Sequence, residues 1–133
     1  HLVGMVDLHV ATPTILTRAV LPAMMQRNTG AIINVSSVSA WFPSAGNVQY
    51  SATKTYLATF SLALHDELRG TNVRVQALCP GFIRTQFHAA ECMKDFNARC
   101  QLAERFWLTP DEVVTCSLRK LSGKQVIVTP RLG

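Results

Sequence analysis

Apolar residues follow two different spacings along the chain, and these spacings predict helices and strands in turn. From about Met5 to Arg27 apolar side chains recur at helical intervals, and Asn28-Thr29-Gly30 follows as a stop signal. Ala31 to Val35 is then a short β-branched run without alternation, which predicts a strand buried on both faces. The alternation of helix and strand is typical of a parallel sheet.

The middle of the chain continues this alternation. The loop from Val38 to Gly46 precedes Asn47, which we expect to cap a long helix that ends at Arg69-Gly70. Val73 to Leu78 is the next predicted strand, and Pro80-Gly81 ends it.

The last third contains one strong helix signal. Residues from about Gln86 to Arg105 are predicted to be helical only in part. Thr109-Pro110-Asp111-Glu112 combines a threonine cap, a proline at the first helical position and acids in the first turn, which predicts a helix to about Leu121. After Ser122-Gly123 we expect a final strand from Gln125 to Thr129.

Composition favours one soluble domain or part of one. The chain has 133 residues, of which 48% are apolar and 16% charged, so it can bury a core and carries too few charges for a disordered tail. No apolar run approaches the roughly 18 residues that a membrane span needs. Because the chain begins with His1 and shows no secretory leader, we expect a processed or truncated start.

The net charge of +5 does not favour a nucleic-acid partner. No cluster of basic residues occurs, and a solvated basic surface is the preferred interpretation. The arginines that belong to different predicted elements are Arg18, Arg27, Arg69, Arg74, Arg84 and Arg99.

The cysteines predict a reducing compartment. Cys79, Cys92, Cys100 and Cys116 form no Cys-x-x-Cys pair and match neither a zinc site nor a disulfide framework. Buried free thiols are the preferred interpretation, so we expect a cytoplasmic protein without a metal site.

Candidate chemistry is concentrated in three residues. Tyr50 and Lys54 are four residues apart in Tyr50-Ser51-Ala52-Thr53-Lys54, and Ser37 lies thirteen residues before the tyrosine, at the end of a predicted strand. A spacing of four on a helix places both side chains on one face, where an ammonium favours the charged form of a phenol. The alternative is an ordinary amphipathic helix with an exposed tyrosine and a solvated lysine.

These residues also carry a family resemblance. Asn34-Val35-Ser36-Ser37, the tyrosine and lysine segment, and Cys79-Pro80-Gly81-Phe82-Ile83-Arg84-Thr85 together resemble the second half of a short-chain dehydrogenase/reductase, from about residue 5 to residue 129. The resemblance implies a substrate-binding role for Ser37, an acid/base role for Tyr50, and for Lys54 both lowering the pKa of the tyrosine and holding the nicotinamide ribose. It further implies that NAD or NADP contacts Tyr50, Lys54, Pro80, Gly81, Ile83 and Thr85.

The resemblance implies the α/β class with a Rossmann-like, doubly wound parallel sheet, of which this chain holds the second half. We therefore treat residues 1–133 as a single partial domain, the C-terminal catalytic half, with three parallel strands, flanking helices and no N-terminal strands. The seven glycines are never closer than ten residues, so the glycine-rich turn that cradles the pyrophosphate is missing. NAD and NADP are not distinguished, strand 31–35 is expected at an open sheet edge, and we expect these residues alone to bind cofactor weakly.

His9 departs from the family pattern. Alignment back from Ser37 puts His9 where the family usually has the asparagine of its proton relay. A neutral imidazole can hold a water through one ring nitrogen, so we favour a relay role over a buried core histidine. His65 and His88 lack partners at metal-ligand spacing.

The long helix is apolar on more than one side, which predicts a second packing partner. We expect a homodimer or homotetramer, as the resemblance implies; a helix buried between sheet and loops is the alternative. The apolar residues are Val48, Ala52, Leu57, Ala58, Phe60, Leu62, Ala63, Leu64 and Leu68.

The favoured activity is NAD(P)-dependent hydride transfer between the nicotinamide and a carbonyl or secondary alcohol substrate of small size. A non-catalytic interaction or dimerisation module is the alternative, and a hydrolase with Ser37 as nucleophile is disfavoured because no nucleophile elbow surrounds it. Aromatic residues near the motifs are candidates for an apolar substrate pocket, with Trp41 and Phe42 preferred over Phe82 and Phe87.

Overall fold

Helices and strands alternate in the structure, a computed structural model that describes residues 2–85, 106–123 and 125–131. The helices are α1 (Leu2–Val6), α2 (Thr12–Gln26), α3 (Val48–Glu67) and α4 (Pro110–Leu121), with a π-helical turn at Asp7–Ala11 and a 3-10 turn at Val38–Ala40. The strands are β1 (Gly30–Val35), β2 (Val73–Leu78), β3 (Phe82–Ile83), β4 (Trp107–Leu108) and β5 (Ile127–Val128).

The main sheet contains three parallel strands in the order β1-β2-β5. Gly30 pairs with Val73, Val35 pairs with Leu78, and Ala77 pairs with Ile127. The predicted α/β class and the three parallel strands are therefore confirmed. Strands β3 and β4 form a second, two-residue parallel pair that the sequence did not predict.

Helices cover both faces of the main sheet. Side chains alternate across β2, so Val73 and Val75 join a cluster with Leu64 of α3 and with Leu68, the C-cap residue of that helix. Leu78 faces the other way and packs near Val113 of α4. The sheet is thus wound on both sides, as expected for a parallel sheet joined by helical crossovers.

The first predicted helix has an unexpected break in its hydrogen bonding. A π-turn joins α1 to α2, and the Thr12 N–H donates to the Asp7 carbonyl, five residues earlier. Pro13 follows directly, and a proline ring clashes with the carbonyl four residues before it while offering no N–H. The wider turn therefore accommodates Pro13, and His9 lies within it.

Strand β1 is not buried on both faces, contrary to the prediction. It occupies the sheet edge among the described residues, Val35 is 53% exposed, and its buried side chain is Asn34. A lack of alternation does not by itself distinguish a covered strand from an edge strand. The predicted open edge at strand 31–35 is confirmed within the described residues.

The predicted caps of α3 and α4 have different outcomes. Thr109 caps α4 in a full capping box with Glu112, as predicted. Asn47 stands before α3 with φ −116° and ψ 22°, outside the extended conformation that capping requires, and makes no capping hydrogen bond. The last strand is shorter than predicted, and the partly helical segment 86–105 lies outside the described residues.

Candidate active site

The carboxyl ends of β1 and β2 bring two of the predicted motifs together. These ends lie side by side because the strands are parallel and in register. The Ser36 N–H donates to Leu78 O at 2.7 Å, and the Val38 N–H donates to Pro80 O at 3.1 Å. Ser37 therefore lies beside the Pro80-Gly81 turn, at the carboxyl ends of the strands, where open α/β sheets bind ligands.

Ser37 and Tyr50 are in direct contact. A side-chain hydrogen bond joins them, and Ser37 is 8% exposed. The Ser37 oxygen also accepts from the Ser39 N–H at 3.2 Å, which caps the 3-10 turn and fixes the hydroxyl. The strand end and the first turn of α3 thus place both hydroxyls at one point.

The neighbouring Ser36 has a different function. Its hydroxyl donates to the Lys54 backbone carbonyl at 2.7 Å and is buried. Ser36 therefore attaches β1 to α3, and Ser37 presents its hydroxyl to the phenol.

Lys54 is a buried cation beside Tyr50. Its ammonium donates to Val35 O at 2.9 Å and lies 5.6 Å from the centroid of the Tyr50 ring. Burial lowers the pKa of Lys54, with a smaller opposing effect from Cys79. The Lys54 ammonium has three N–H donors, and among the described residues Val35 O accepts from one of them. The hydroxyls of a ribose could accept from the other two.

The tyrosine pKa differs from the expectation. Burial raises the pKa of Tyr50, and the hydrogen bond with Ser37 opposes this rise only in part. The net shift is therefore upward, opposite to the lowering by Lys54 that the resemblance implied. The phenol therefore remains protonated at neutral pH.

His9 joins the same group of side chains. Its Nδ1 lies 3.0 Å from the Thr53 Oγ1, and its ring meets the Tyr50 ring edge-on, with centroids 6.0 Å apart at 74°. Burial, and then the charge of Lys54, lower the pKa of His9. The imidazole is therefore neutral at neutral pH, as a relay requires.

The proposed cofactor segment is only partly at this site. Pro80 is buried at the end of β2 beside Ser37, and a Cβ placed on Gly81 would meet nothing within 4 Å among the described residues. Ile83 pairs with Leu108 and packs against the core cluster that contains Leu78 and Val113, whereas Thr85 is exposed. The structure thus joins Pro80 to the serine and leaves Ile83 and Thr85 further along the segment.

The aromatic candidates divide into two groups. Trp41 and Phe42 follow Ser37 and are 46% and 72% exposed. Phe82 instead packs against Trp107, with ring centroids 5.5 Å apart. Phe87 lies outside the described residues.

Sequence reasoning missed Thr53 as a member of the site. It contacts His9 across 44 residues of sequence. A threonine inside a helix gives no periodic signal of such a contact, although its position directly before Lys54 was a clue.

The described part of the chain contains neither a membrane-spanning helix nor a group of side chains that could hold a metal ion. Over residues 2–85, 106–123 and 125–131 no helix is long and apolar enough to cross a membrane. Within the same ranges no group of three His, Cys, Asp or Glu side chains is placed to hold a metal ion.

A serine, a tyrosine and a buried lysine lie together at the carboxyl ends of the strands of a parallel α/β sheet, as the resemblance to short-chain dehydrogenases/reductases implies. Comparison with known proteins agrees, because a sequence model of the short chain dehydrogenase family matches residues 4–94. The chain belongs to the short-chain dehydrogenase/reductase family.

Individual relatives show the same likeness. The chain is 44% identical over 111 residues to an NADP-dependent 3-hydroxy acid dehydrogenase YdfG of Shigella flexneri, a match covering 82% of this chain and 45% of the relative. It is 41% identical over 81 residues to human dehydrogenase/reductase SDR family member 4, covering 61% and 29%. A short-chain dehydrogenase from Sphingobium yanoikuyae in complex with NADPH superposes with a TM-score of 0.81 at 30% identity, covering 96% and 47%. The chain thus spans less than half the length of each.

Proposed function

We propose that the protein is an NAD(P)-dependent oxidoreductase that interconverts a carbonyl and a secondary alcohol. The observation that carries this proposal is the hydrogen bond between Ser37 and Tyr50, with the Lys54 ammonium 5.6 Å from the Tyr50 ring. This arrangement places a proton donor, a second hydrogen-bond donor and a cation around one point.

Each residue has a distinct role in the proposed reaction. Lys54 and the segment from Pro80 to Thr85 would hold a nicotinamide cofactor, which would supply or accept the hydride. Tyr50 donates its proton to the substrate oxygen during reduction and takes it back during oxidation. Ser37 donates a hydrogen bond to that oxygen, and the charge of Lys54 stabilises the phenolate left on Tyr50.

His9 takes part in returning the proton to this site. The ring is neutral and meets the Tyr50 ring edge-on. It is also close enough to Lys54 for the lysine charge to disfavour protonation of the imidazole. A neutral imidazole accepts a hydrogen bond, so His9 can hold a water that passes protons toward the lysine.

The relatives favour NADP over NAD. The Shigella relative is NADP-dependent by name, and the Sphingobium structure was solved with NADPH. The glycine-rich turn and the residue that recognises the 2′-phosphate are absent from these 133 residues, so NAD or NADP remains the proposal.

The substrate has an apolar portion in this proposal. Trp41 and Phe42 are exposed in the loop that follows Ser37, where they can contact a small molecule whose carbonyl reaches the serine. We assign no nucleic-acid partner.

The outer surfaces of α2 and α3 support self-association. Ile15, Leu16 and Leu62 are 65%, 59% and 44% exposed, and exposed apolar side chains on packed helices favour burial against a second copy. We propose a homodimer or homotetramer in the cytoplasm, where the free thiols of Cys79 and Cys116 remain reduced.

A matched pair of tyrosine variants tests the activity in the full-length protein. NADPH oxidation is followed with a panel of aryl and alkyl ketones for wild type, Tyr50→Phe and Tyr56→Phe. Tyr56 is in the same helix, and its hydroxyl contacts Thr14 while its ring stacks on Phe60, away from Ser37. We expect Tyr50→Phe to lower kcat by at least about 10²-fold and Tyr56→Phe to retain activity.

The opposite results would count against the proposal. Equal activity of wild type and Tyr50→Phe would remove the acid/base role of the phenol. Complete absence of turnover and of nicotinamide binding in the wild type would favour the non-catalytic interaction module instead.

A further inference from the structure

The Thr53 hydroxyl lies between the His9 ring and the backbone of Tyr50. Its Oγ1 is 3.0 Å from His9 Nδ1 and 3.0 Å from the carbonyl oxygen of Tyr50. Thr53 is 5% exposed, and both contacts are partly buried. One buried hydroxyl thus contacts two of the proposed site residues.

The number of protons determines how these two hydrogen bonds run. A carbonyl oxygen only accepts and a threonine hydroxyl has a single proton, so a proton directed at Tyr50 O is not available for donation to His9. The Thr53 oxygen can then only accept from the imidazole, which requires a proton on His9 Nδ1. If Nδ1 carried no proton, the single Thr53 proton could serve only one of the two contacts. The other contact would then place two acceptor atoms against each other.

We infer that Thr53 is a positioning residue that fixes His9 as the Nδ1–H tautomer and leaves the lone pair on Nε2. A histidine ring nitrogen is usually assigned by the hydrogen bond of the other nitrogen. The Thr53 hydroxyl does this here, and its own orientation is set by a backbone carbonyl of the helix that carries Tyr50 and Lys54.

The position of His9 contributes to the same arrangement. The π-turn at Asp7–Ala11 places the ring against α3, and π-turns often mark functional positions. The tautomer is inferred from the two Thr53 contacts and from no step of the reaction. Its use in catalysis rests on the proposed oxidoreductase function, in which Nε2 accepts a hydrogen bond from the water that serves the lysine.

Substitutions at Thr53 separate the hydroxyl from the shape of the side chain. Thr53→Ser keeps the hydroxyl, and Thr53→Val replaces it with a methyl group of nearly the same volume. Thr55→Val is a control for the loss of a threonine hydroxyl from α3, because Thr55 contacts the backbone carbonyls of Ser51 at 2.9 Å and Ala40 at 2.8 Å but does not contact His9.

Nitrogen-15 NMR of the imidazoles tests the tautomer in the full-length protein at a pH where His9 is neutral. The His9 signals are identified by their loss in His9→Asn. We expect a pyrrole-type shift for Nδ1 and a pyridine-type shift for Nε2 in wild type, Thr53→Ser and Thr55→Val, and a mixture of tautomers in Thr53→Val. A wild-type ring protonated at Nε2, or the same pure tautomer in Thr53→Val, would overturn the inference, whether or not the protein reduces ketones.

Steady-state kinetics tests the catalytic consequence. We expect Thr53→Val to lower kcat about tenfold or more with little change in the KM for substrate, and Thr53→Ser to restore it. Unchanged kcat in Thr53→Val, with its tautomer mixture established by NMR, would show that the reaction does not use the fixed tautomer. Loss of the expected tautomer and loss of all turnover are separate measurements, so failure of this inference and of the proposed function are distinguishable.

Discussion

The Ser36 hydroxyl donates to the Lys54 carbonyl at 2.7 Å, while the next residue, Ser37, is hydrogen-bonded to Tyr50. Two adjacent serines thus serve different purposes. Ser36 stabilises the junction of β1 and α3, and Ser37 faces the proposed reacting oxygen.

This difference predicts opposite outcomes for the two alanine variants. Ser37→Ala should lower kcat by about 10²-fold because it removes a donor to the substrate oxygen, and its effect on the free energy of unfolding should not exceed the loss of one capping hydrogen bond, about 1 kcal/mol. Ser36→Ala should lower the free energy of unfolding by about 1 kcal/mol and retain most activity. Chemical denaturation and ketone reduction check both; loss of activity in Ser36→Ala alone would reverse the assignment.

The pH dependence of activity should report on His9. Burial and the Lys54 charge lower its pKa below 6.5, so the folded protein disfavours the imidazolium. The stability that follows from this shift is fully present above pH 6.5 and is lost as the pH falls through the lowered pKa. Activity should fall over the same acidic range, because protonation removes the lone pair of Nε2.

The variant His9→Asn tests this explanation, since an amide does not titrate. We expect its kcat profile to lose the acidic limb that His9 gives the wild type below pH 6.5. If wild type and variant had the same profile, the ring would not titrate in the reaction.

Asn34 should matter for stability even though its strand is at the sheet edge. Its side-chain amide donates to Ser61 Oγ at 2.9 Å in a buried contact between β1 and α3. Asn34→Ala should lower the free energy of unfolding by about 1 to 2 kcal/mol. Asn47→Ala is the control, because the Asn47 side chain makes a weak exposed contact of 3.4 Å with Ser44; equal effects of the two changes would contradict the prediction.

Cys79 should resist alkylation in the native protein. It is fully buried, and burial raises the pKa of its thiol to about 11, so the reactive thiolate is scarce at neutral pH. Cys116 is only half-buried and should react with iodoacetamide first. Peptide mass spectrometry checks the order, with denatured protein as the control in which both react; native Cys79 reacting as fast as Cys116 would contradict it.

Local signals in the sequence predicted the elements that local chemistry determines. The bounds of β2, Val73–Leu78, agree fully with the prediction because the Pro80-Gly81 signal that ends the strand is local. The Thr109 cap was predictable for the same reason, since cap, proline and acids occur within four residues. The Ser37, Tyr50 and Lys54 group was also predictable, because the strand end and the helix start are both local.

Other features depend on distant contacts and were not predictable. Strands β3 and β4 have two residues each, too few for any periodicity, and they pair because Phe82 meets Trp107. The hydrogen bond between His9 and Thr53 joins helices 44 residues apart. The raised pKa of Tyr50 depends on burial, which a spacing of four residues does not encode.

The bond between Lys54 and the Val35 carbonyl has a consequence for how the protein reaches its working state. A buried ammonium without an acceptor would cost several kcal/mol, by the order of magnitude known for such groups. The carbonyl at the end of β1 offsets part of that cost before any small molecule arrives. The charge is therefore installed as the chain folds, and ligand entry meets a prearranged electrostatic environment instead of having to create one.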